Sequence, residues 1–155
     1  MSLKTTDAGP VDQVFALTNS APSTITAPGS MAPLPDTELA IKLRNDSLLV
    51  ITYSMRVYHL QLAGTTIYHP GPIMLIRCEY DGTPCAPNGN ALEFGNNLGY
   101  GDSRSFTWVV HFAKKGAHKV TILGGLANPS NVTSYNTQRS LVVHAARLVQ
   151  RPASR

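Results

Sequence analysis

The sequence predicts an all-β protein, an antiparallel two-sheet sandwich or jelly roll, and three observations carry that expectation. Charged residues make up only 14% of the 155-residue chain, against roughly 25% in an average domain. No stretch shows the Glu-to-Lys spacing of a solvated helix. Short segments of two-residue alternation follow one another along the chain, separated by Gly, Pro, Asn and Asp turn chemistry. A chain of this length suits one core, since single domains commonly hold about 100–200 residues. It needs neither a metal nor a disulfide to fold, because a chain this long buries roughly 70% of its unfolded surface. Residues 1–12 read as a flexible arm or an early edge segment, 13–150 as a single jelly-roll domain and 151–155 as a tail.

Taken in order, the first apolar run is Val14 to Leu17, closed by the turn residues Asn19, Ser20, Ala21 and Pro22. The segment 23–35 is rich in proline, which cannot donate to a sheet ladder, so it reads as loop or edge strand. Over 38–43, Leu39, Ile41 and Leu43 alternate with Ala40 and Lys42, and Asn45-Asp46-Ser47 supplies the next turn. The segment 48–62 is β-branched and aromatic with apolar residues on both faces, as expected of a strand covered on both sides. Pro70-Gly71-Pro72 breaks the chain before a strand at 73–80, and Asp81-Gly82 is a hairpin turn.

Residues 84–103 are polar and glycine-rich and read as the longest loop. A strand at 105–113 places Phe106, Trp108, Val110 and Phe112 on one face and Thr107, Val109 and His111 on the other. Lys114-Lys115-Gly116 turns the chain into a strand at 118–123. A loop over 124–137 precedes the last strand at 139–149. The total is six to eight strands, in the short-strand pattern of a sandwich or jelly roll.

The chemistry these residues exclude is informative. There is no Gly-x-Ser-x-Gly elbow, no dinucleotide or P-loop glycine pattern and no HxH or HExxH metal motif. No cofactor is expected. No run of eighteen apolar residues exists, so no membrane span is expected, nor is a secretory signal ahead of Asp7. The net charge of +4 is small, and only Lys114-Lys115 forms a local basic pair, so no nucleic-acid partner is expected.

Four groups of residues remain as candidates. Cys78 and Cys85 flank a turn, and two readings stand: a disulfide across it, or two free thiols beside it. A four-ligand zinc site is excluded by the cysteine count. His111 and His118 would face each other across the 114–116 hairpin, either as a pair of metal ligands or, the plainer reading, as two satisfied residues of a half-polar sheet face. Glu79, Asp81, Glu93 and Asp102 flank the 84–103 loop. Glu93 and Asp102 are the candidate loop site, as paired catalytic carboxylates, calcium ligands or simply solvated side chains.

The C-terminal third carries a motif series: Ser105-Phe106-Thr107-Trp108-Val109-Val110, Lys115-Gly116-Ala117-His118-Lys119-Val120, and Gln138-Arg139-Ser140-Leu141-Val142-Val143. It resembles the last three strands of bacterial and phage-borne jelly-roll domains similar to the tumour necrosis factor and complement globular-head superfamily, over about 45 residues. The resemblance implies a ten-stranded jelly-roll sandwich and a homotrimer. Under it, Tyr53, Tyr58, Tyr68, Trp108 and Tyr135 are candidate interface aromatics, because such rings are enriched where proteins meet; the other reading is that they line the core or sit on strands as β-formers. The expected function is a non-enzymatic binding or structural module with a protein or glycan partner. The alternatives are a monomeric carbohydrate-binding sandwich that stacks sugars on Trp108 or the tyrosines, and a small hydrolase using the carboxylates near 84–103.

Overall fold

The computed structural model describes residues 8–25, 31–61, 73–87, 92–95, 101–126 and 132–149. They form ten strands: β1 (Ala8–Asn19), β2 (Ser23–Ile25), β3 (Ala32–Leu43), β4 (Ser47–Gln61), β5 (Ile73–Tyr80), β6 (Thr83–Pro84), β7 (Leu92–Gly95), β8 (Gly101–Ala113), β9 (Gly116–Leu126) and β10 (Val132–Leu148). One sheet runs β1-β10-β4-β8, with β2 also on β10; the other runs β3-β9-β5-β6, with β7 also on β5. All the pairings are antiparallel. The chain passes between sheets from β2 to β3, β3 to β4, β4 to β5, β7 to β8, β8 to β9 and β9 to β10. This is the two-sheet jelly roll that the sequence predicts. No helix among the described residues is long and apolar enough to cross a membrane.

Period-two alternation builds the core. On β4, Leu49, Ile51, Tyr53, Met55 and Val57 are buried, and the residues between them are half-buried. Met74, Ile76 and Cys78 of β5, Val120 and Ile122 of β9, and Leu141, Val143 and Ala145 of β10 meet them from the other strands. The apolar residues on both faces of β4 suggest cover on both sides, but only one face meets the opposite sheet. The other is half-shielded by neighbouring strands of its own sheet.

Several boundaries differ from the sequence-based expectation. Residues 8–12 belong to the edge strand β1, the second of the two readings, rather than to an arm, with Ala8 paired to Leu148. Within the stretch read as the long loop, 92–95 form β7 against β5. β10 begins at Val132, inside the expected 124–137 loop. A bulge hides this: between Thr137 and Ser140 the register with β4 shifts, and Gln138 takes a positive φ of 49°. The alternation therefore restarts at the bulge. Proline-rich β3 lies at a sheet edge, where proline is tolerated, and Pro35 falls within the register shift between Pro33 and Glu38.

Side chains stitch the two sheet edges β1 and β3 together. Gln13 Nε2 donates to the Lys42 carbonyl at 3.0 Å while its Oε1 accepts from the Arg44 amide at 2.8 Å. Asn19 Nδ2 donates to Asp36 Oδ2 at 2.8 Å. Arg139, buried at the bulge, donates from Nη1 to Ser23 Oγ at 2.6 Å and Asn136 Oδ1 at 3.1 Å, and from Nη2 to the Ala21 carbonyl at 3.0 Å. The arginine that opens the last sequence motif thus fastens β2 and the preceding turn to β10.

Candidate functional site

The two sheets differ in what they show to solvent. On the β3-β9-β5 sheet the outward side chains include two ion pairs: Lys119 Nζ lies 3.2 Å from Glu38 Oε1, and Arg77 Nη2 lies 2.6 Å from Glu79 Oε1. On the β1-β10-β4-β8 sheet the register defines three outward rows across four strands. They are Val14-His144-Val50-Val109, Ala16-Val142-Thr52-Thr107 and Thr18-Ser140-Ser54-Ser105. None of these twelve residues is Asp, Glu, Lys or Arg. The polar members partly satisfy one another: the Ser54 and Ser105 hydroxyls are 2.9 Å apart, and those of Thr52 and Thr107 3.4 Å.

The apolar end of this face opens into a concavity of about 790 Å³, lined by residues that include Pro10, Phe112, Leu148 and Val149, with Asp12, Asn45, Asp46 and Arg147 as its polar members. Phe112 is there because of a bulge. Between Leu49–Val110 and Ser47–Ala113, β8 advances three residues while β4 advances two. The extra residue turns Ala113 into the core and leaves Phe112 55% exposed. Simple alternation, which puts Phe112 on the face of Trp108, is corrected by that shift. Lys114 Nζ sits 4.4 Å from the Phe112 ring centroid and 3.1 Å from Asp46 Oδ2. Asp46 Oδ1 accepts the Lys115 amide at 2.8 Å. That backbone hydrogen bond, followed by the one from Lys114, holds the Asp46 carboxyl below its ordinary range.

The sequence-predicted residues divide between those brought together and those not. Tyr53 and Trp108, expected at an interface, are corrected: both are buried in the core, at 0% and 2% exposure. Each falls on the inward phase of its strand. A buried Trp108 also cannot stack a sugar. Burial, only partly opposed by the charge of Arg139, pushes the Tyr53 hydroxyl up, and its oxygen has no partner among the described residues. Tyr58 and Tyr135 are register partners on β4 and β10; their side chains, and Tyr68 altogether, lie outside the described residues. Glu93 falls in β7 and Asp102 in β8, on different sheets, and their side chains lie outside the described residues.

His118 does not turn to His111. Its Nδ1 lies 2.7 Å from Asp81 Oδ2 and its Nε2 2.7 Å from the Lys114 carbonyl, with the ring stacked on Tyr80 at 4.9 Å. Both nitrogens face acceptors, so a protonated ring serves both and a neutral ring only one. Burial raises the Asp81 carboxyl, but the hydrogen bonds from His118 and the Lys119 amide outweigh it and hold the group below its ordinary range. Among the described residues no cluster of three His, Cys, Asp or Glu could hold a metal ion. Cys78 and Cys85 are brought together as free thiols, with sulfurs 3.5 Å apart. What sequence reasoning missed is the exposed end residue Phe112 and the uncharged face as a unit, since both depend on register between strands distant in sequence.

The fold places this chain among the jelly-roll β-sandwich proteins. No protein-family model matches it, and no curated protein does. Among solved structures it is similar to one described as the structure of infectious bursal disease virus, Gt strain, at 14% identity and a TM-score of 0.52, covering 86% of this chain and 32% of that one. It also aligns with dimeric latent PorU from Porphyromonas gingivalis, at 12% identity and a TM-score of 0.45, covering 92% of this chain and 14% of that one. A third alignment is with the D431N mutant VP2 protein of infectious bursal disease virus, at 12% identity and a TM-score of 0.42, covering 90% of this chain and 37% of that one. The chain spans about a third of the first structure's length, and the likeness is one of fold.

Proposed function

We propose that this chain is a non-catalytic jelly-roll module that self-associates through the outer face of its β1-β10-β4-β8 sheet and presents loops to a protein or glycan partner. The observation that carries the reading is the distribution of exposed apolar groups. The large hydrophobic side chains exposed among the described residues are Val11 (51%), Val14 (58%), Phe112 (55%) and Val149 (55%), and all lie on or at the end of this one sheet. Charge depletion with apolar and aromatic enrichment is the compositional mark of an interface core, and contiguous apolar patches on soluble proteins mark docking sites.

The occupant this favours is another copy of the chain. The net charge of +4 opposes self-association elsewhere, whereas the three central rows of the face carry none of those charges, which sit at its margins in Arg56, Asp12, Asp46 and Arg147. Three rows about 6.8 Å apart across four strands spaced about 4.8 Å cover on the order of 400 Å². The groove around Phe112 extends this toward the roughly 800 Å² per partner of a stable interface. The homotrimer is the stoichiometry that the sequence resemblance implies. Light scattering tests it: the expected mass is three times the 16.7 kDa chain, and a monomer mass at micromolar concentration would sink the assembly reading.

One observation favours a second reading. Phe112 is an exposed ring beside the hydrogen-bonding side chains of Asn45 and Asp46, which is the makeup of a sugar-stacking site. Glycan binding by a monomer, abolished in Phe112→Ala, would favour a carbohydrate-binding module over self-assembly.

A further inference from the structure

We propose that Cys78 and Cys85 are a reversible dithiol–disulfide couple, closed by exchange with a small-molecule disulfide, and that closure locks the segment capping the open edge of β8. The hairpin places the pair. Tyr80 opposes Thr83 and Glu79 opposes Pro84, so the next position along brings Cys78 opposite Cys85, with the Cys85 amide donating to the Cys78 carbonyl at 2.9 Å. Both side chains enter the core, and their sulfurs stand 3.5 Å apart. A disulfide bond of about 2.05 Å requires the sulfurs to approach by about 1.5 Å. Cys85 can supply that movement, because it follows the two-residue strand β6 and its neighbours Thr83, Pro84 and Pro87 are exposed.

The two thiols have different roles. Cys78 is fully buried and Cys85 is 5% exposed. The Cys85 thiol donates to the Cys78 sulfur, and burial pushes the Cys78 thiol up. Cys85, the sulfur with residual exposure and the one flanked by the exposed Thr83, Pro84 and Pro87, is assigned as the attacking thiolate, and the fully buried Cys78 as the resolving thiol. In the first step the Cys85 thiolate attacks one sulfur of the small disulfide, forming a mixed disulfide and releasing one small thiolate. The Cys78 proton passes to that thiolate. The Cys78 thiolate then attacks the Cys85 sulfur, forming the internal bond and expelling the second small thiolate. That second thiolate takes up, through solvent, the proton Cys85 released on forming its thiolate, so the protein loses two electrons and two protons and the small disulfide is reduced to two thiols.

The closure has a structural target. Ala86, next to Cys85, pairs with Val109 of β8, with its amide 3.1 Å from the Val109 carbonyl and the Val109 amide 2.9 Å from its own. This bridge covers part of a sheet edge that ends in β8, and exposed edges invite pairing with other chains. The bond would tether that cover to β5.

The test is to treat the whole chain with oxidised glutathione under native conditions, then measure intact mass, thiol content and hydrogen exchange. The expected product is a single chain lighter by two hydrogens, without free thiol, restored by dithiothreitol, in which the Val109 amide exchanges several-fold more slowly. Cys78→Ser should accumulate a glutathione adduct at Cys85, and Cys85→Ser should accumulate none at Cys78. Two thiols still free after treatment, but reactive once the chain is unfolded, would overturn the proposal, as would a bond between chains. An adduct on Cys85→Ser would overturn the assigned order of attack.

Discussion

At the residue scale, strand phase decides which aromatic side chains are available for binding. Tyr53 and Trp108 fall on inward positions, so their surface is spent on the core. Trp108→Ala is expected to cost about 3–5 kcal/mol in denaturant unfolding followed by circular dichroism. Tyr53→Phe should be neutral or stabilising by about 1 kcal/mol, because it removes a buried hydroxyl without a partner among the described residues. A clear loss of stability would instead reveal a hydrogen bond to that oxygen.

The Asp81–His118 contact has a defined pH sign. The Asp81 carboxyl is held below its ordinary range in the folded protein. Its contribution is therefore complete above the unfolded value near ~3.9 and is lost as pH falls through the lower folded value. Asp81→Asn keeps a residue type that tolerates the positive φ of 49° at this position. It should flatten the acid limb of the stability–pH curve below about pH 4. An unchanged limb would assign acid sensitivity to other carboxylates, such as Asp46.

At the element scale, turns and bulges decide where the chain departs from alternation. Asp81 and Gly82 both have positive φ, at 49° and 77°, in a two-residue hairpin that matches the strand twist. A Cβ on Gly82 would meet nothing within 4 Å, so Gly82→Ala tests conformation alone. It should cost about 1 kcal/mol in thermal or denaturant unfolding; no cost would mean the turn can relax to another type. The β8 bulge makes a complementary prediction. Because Phe112 is exposed rather than core, Phe112→Thr should change the stability of the isolated chain by no more than about 0.5 kcal/mol. A loss of several kcal/mol would put the ring back in the core.

At the scale of the whole molecule, the two outward sheet faces have different physics: one is laced with ion pairs, the other has three rows without formal charge. If the uncharged face holds the assembly, Val14→Asp should lower the measured mass toward the monomer while leaving the far-ultraviolet circular dichroism unchanged. The charge would have to be buried unpaired in the interface, which costs several kcal/mol. Lys42→Asp, on the opposite sheet, should leave the mass as it is. An oligomer that survives Val14→Asp but breaks with Lys42→Asp would move the interface to the other sheet.

Much of this architecture is legible in the sequence, for a local reason. Alternation in Leu49–Val57, the turn chemistry of Asp81-Gly82 and the edge-seeking prolines of β3 each act through neighbours only a few residues away. They identify strands, faces and hairpins without knowledge of the partner strand. The low charge content likewise announced an all-β chain before any fold was drawn. Register is a relation between segments far apart in the chain, and only the tertiary structure decided it. It put Phe112 outside and Ala113 inside, extended β10 through its bulge, and moved Tyr53 and Trp108 from expected interface to core. It also gathered valines, threonines and serines from four strands into one uncharged face. A residue's side of its strand can be read locally, but what it faces there depends on which strand lies alongside, and by how many residues the two are offset.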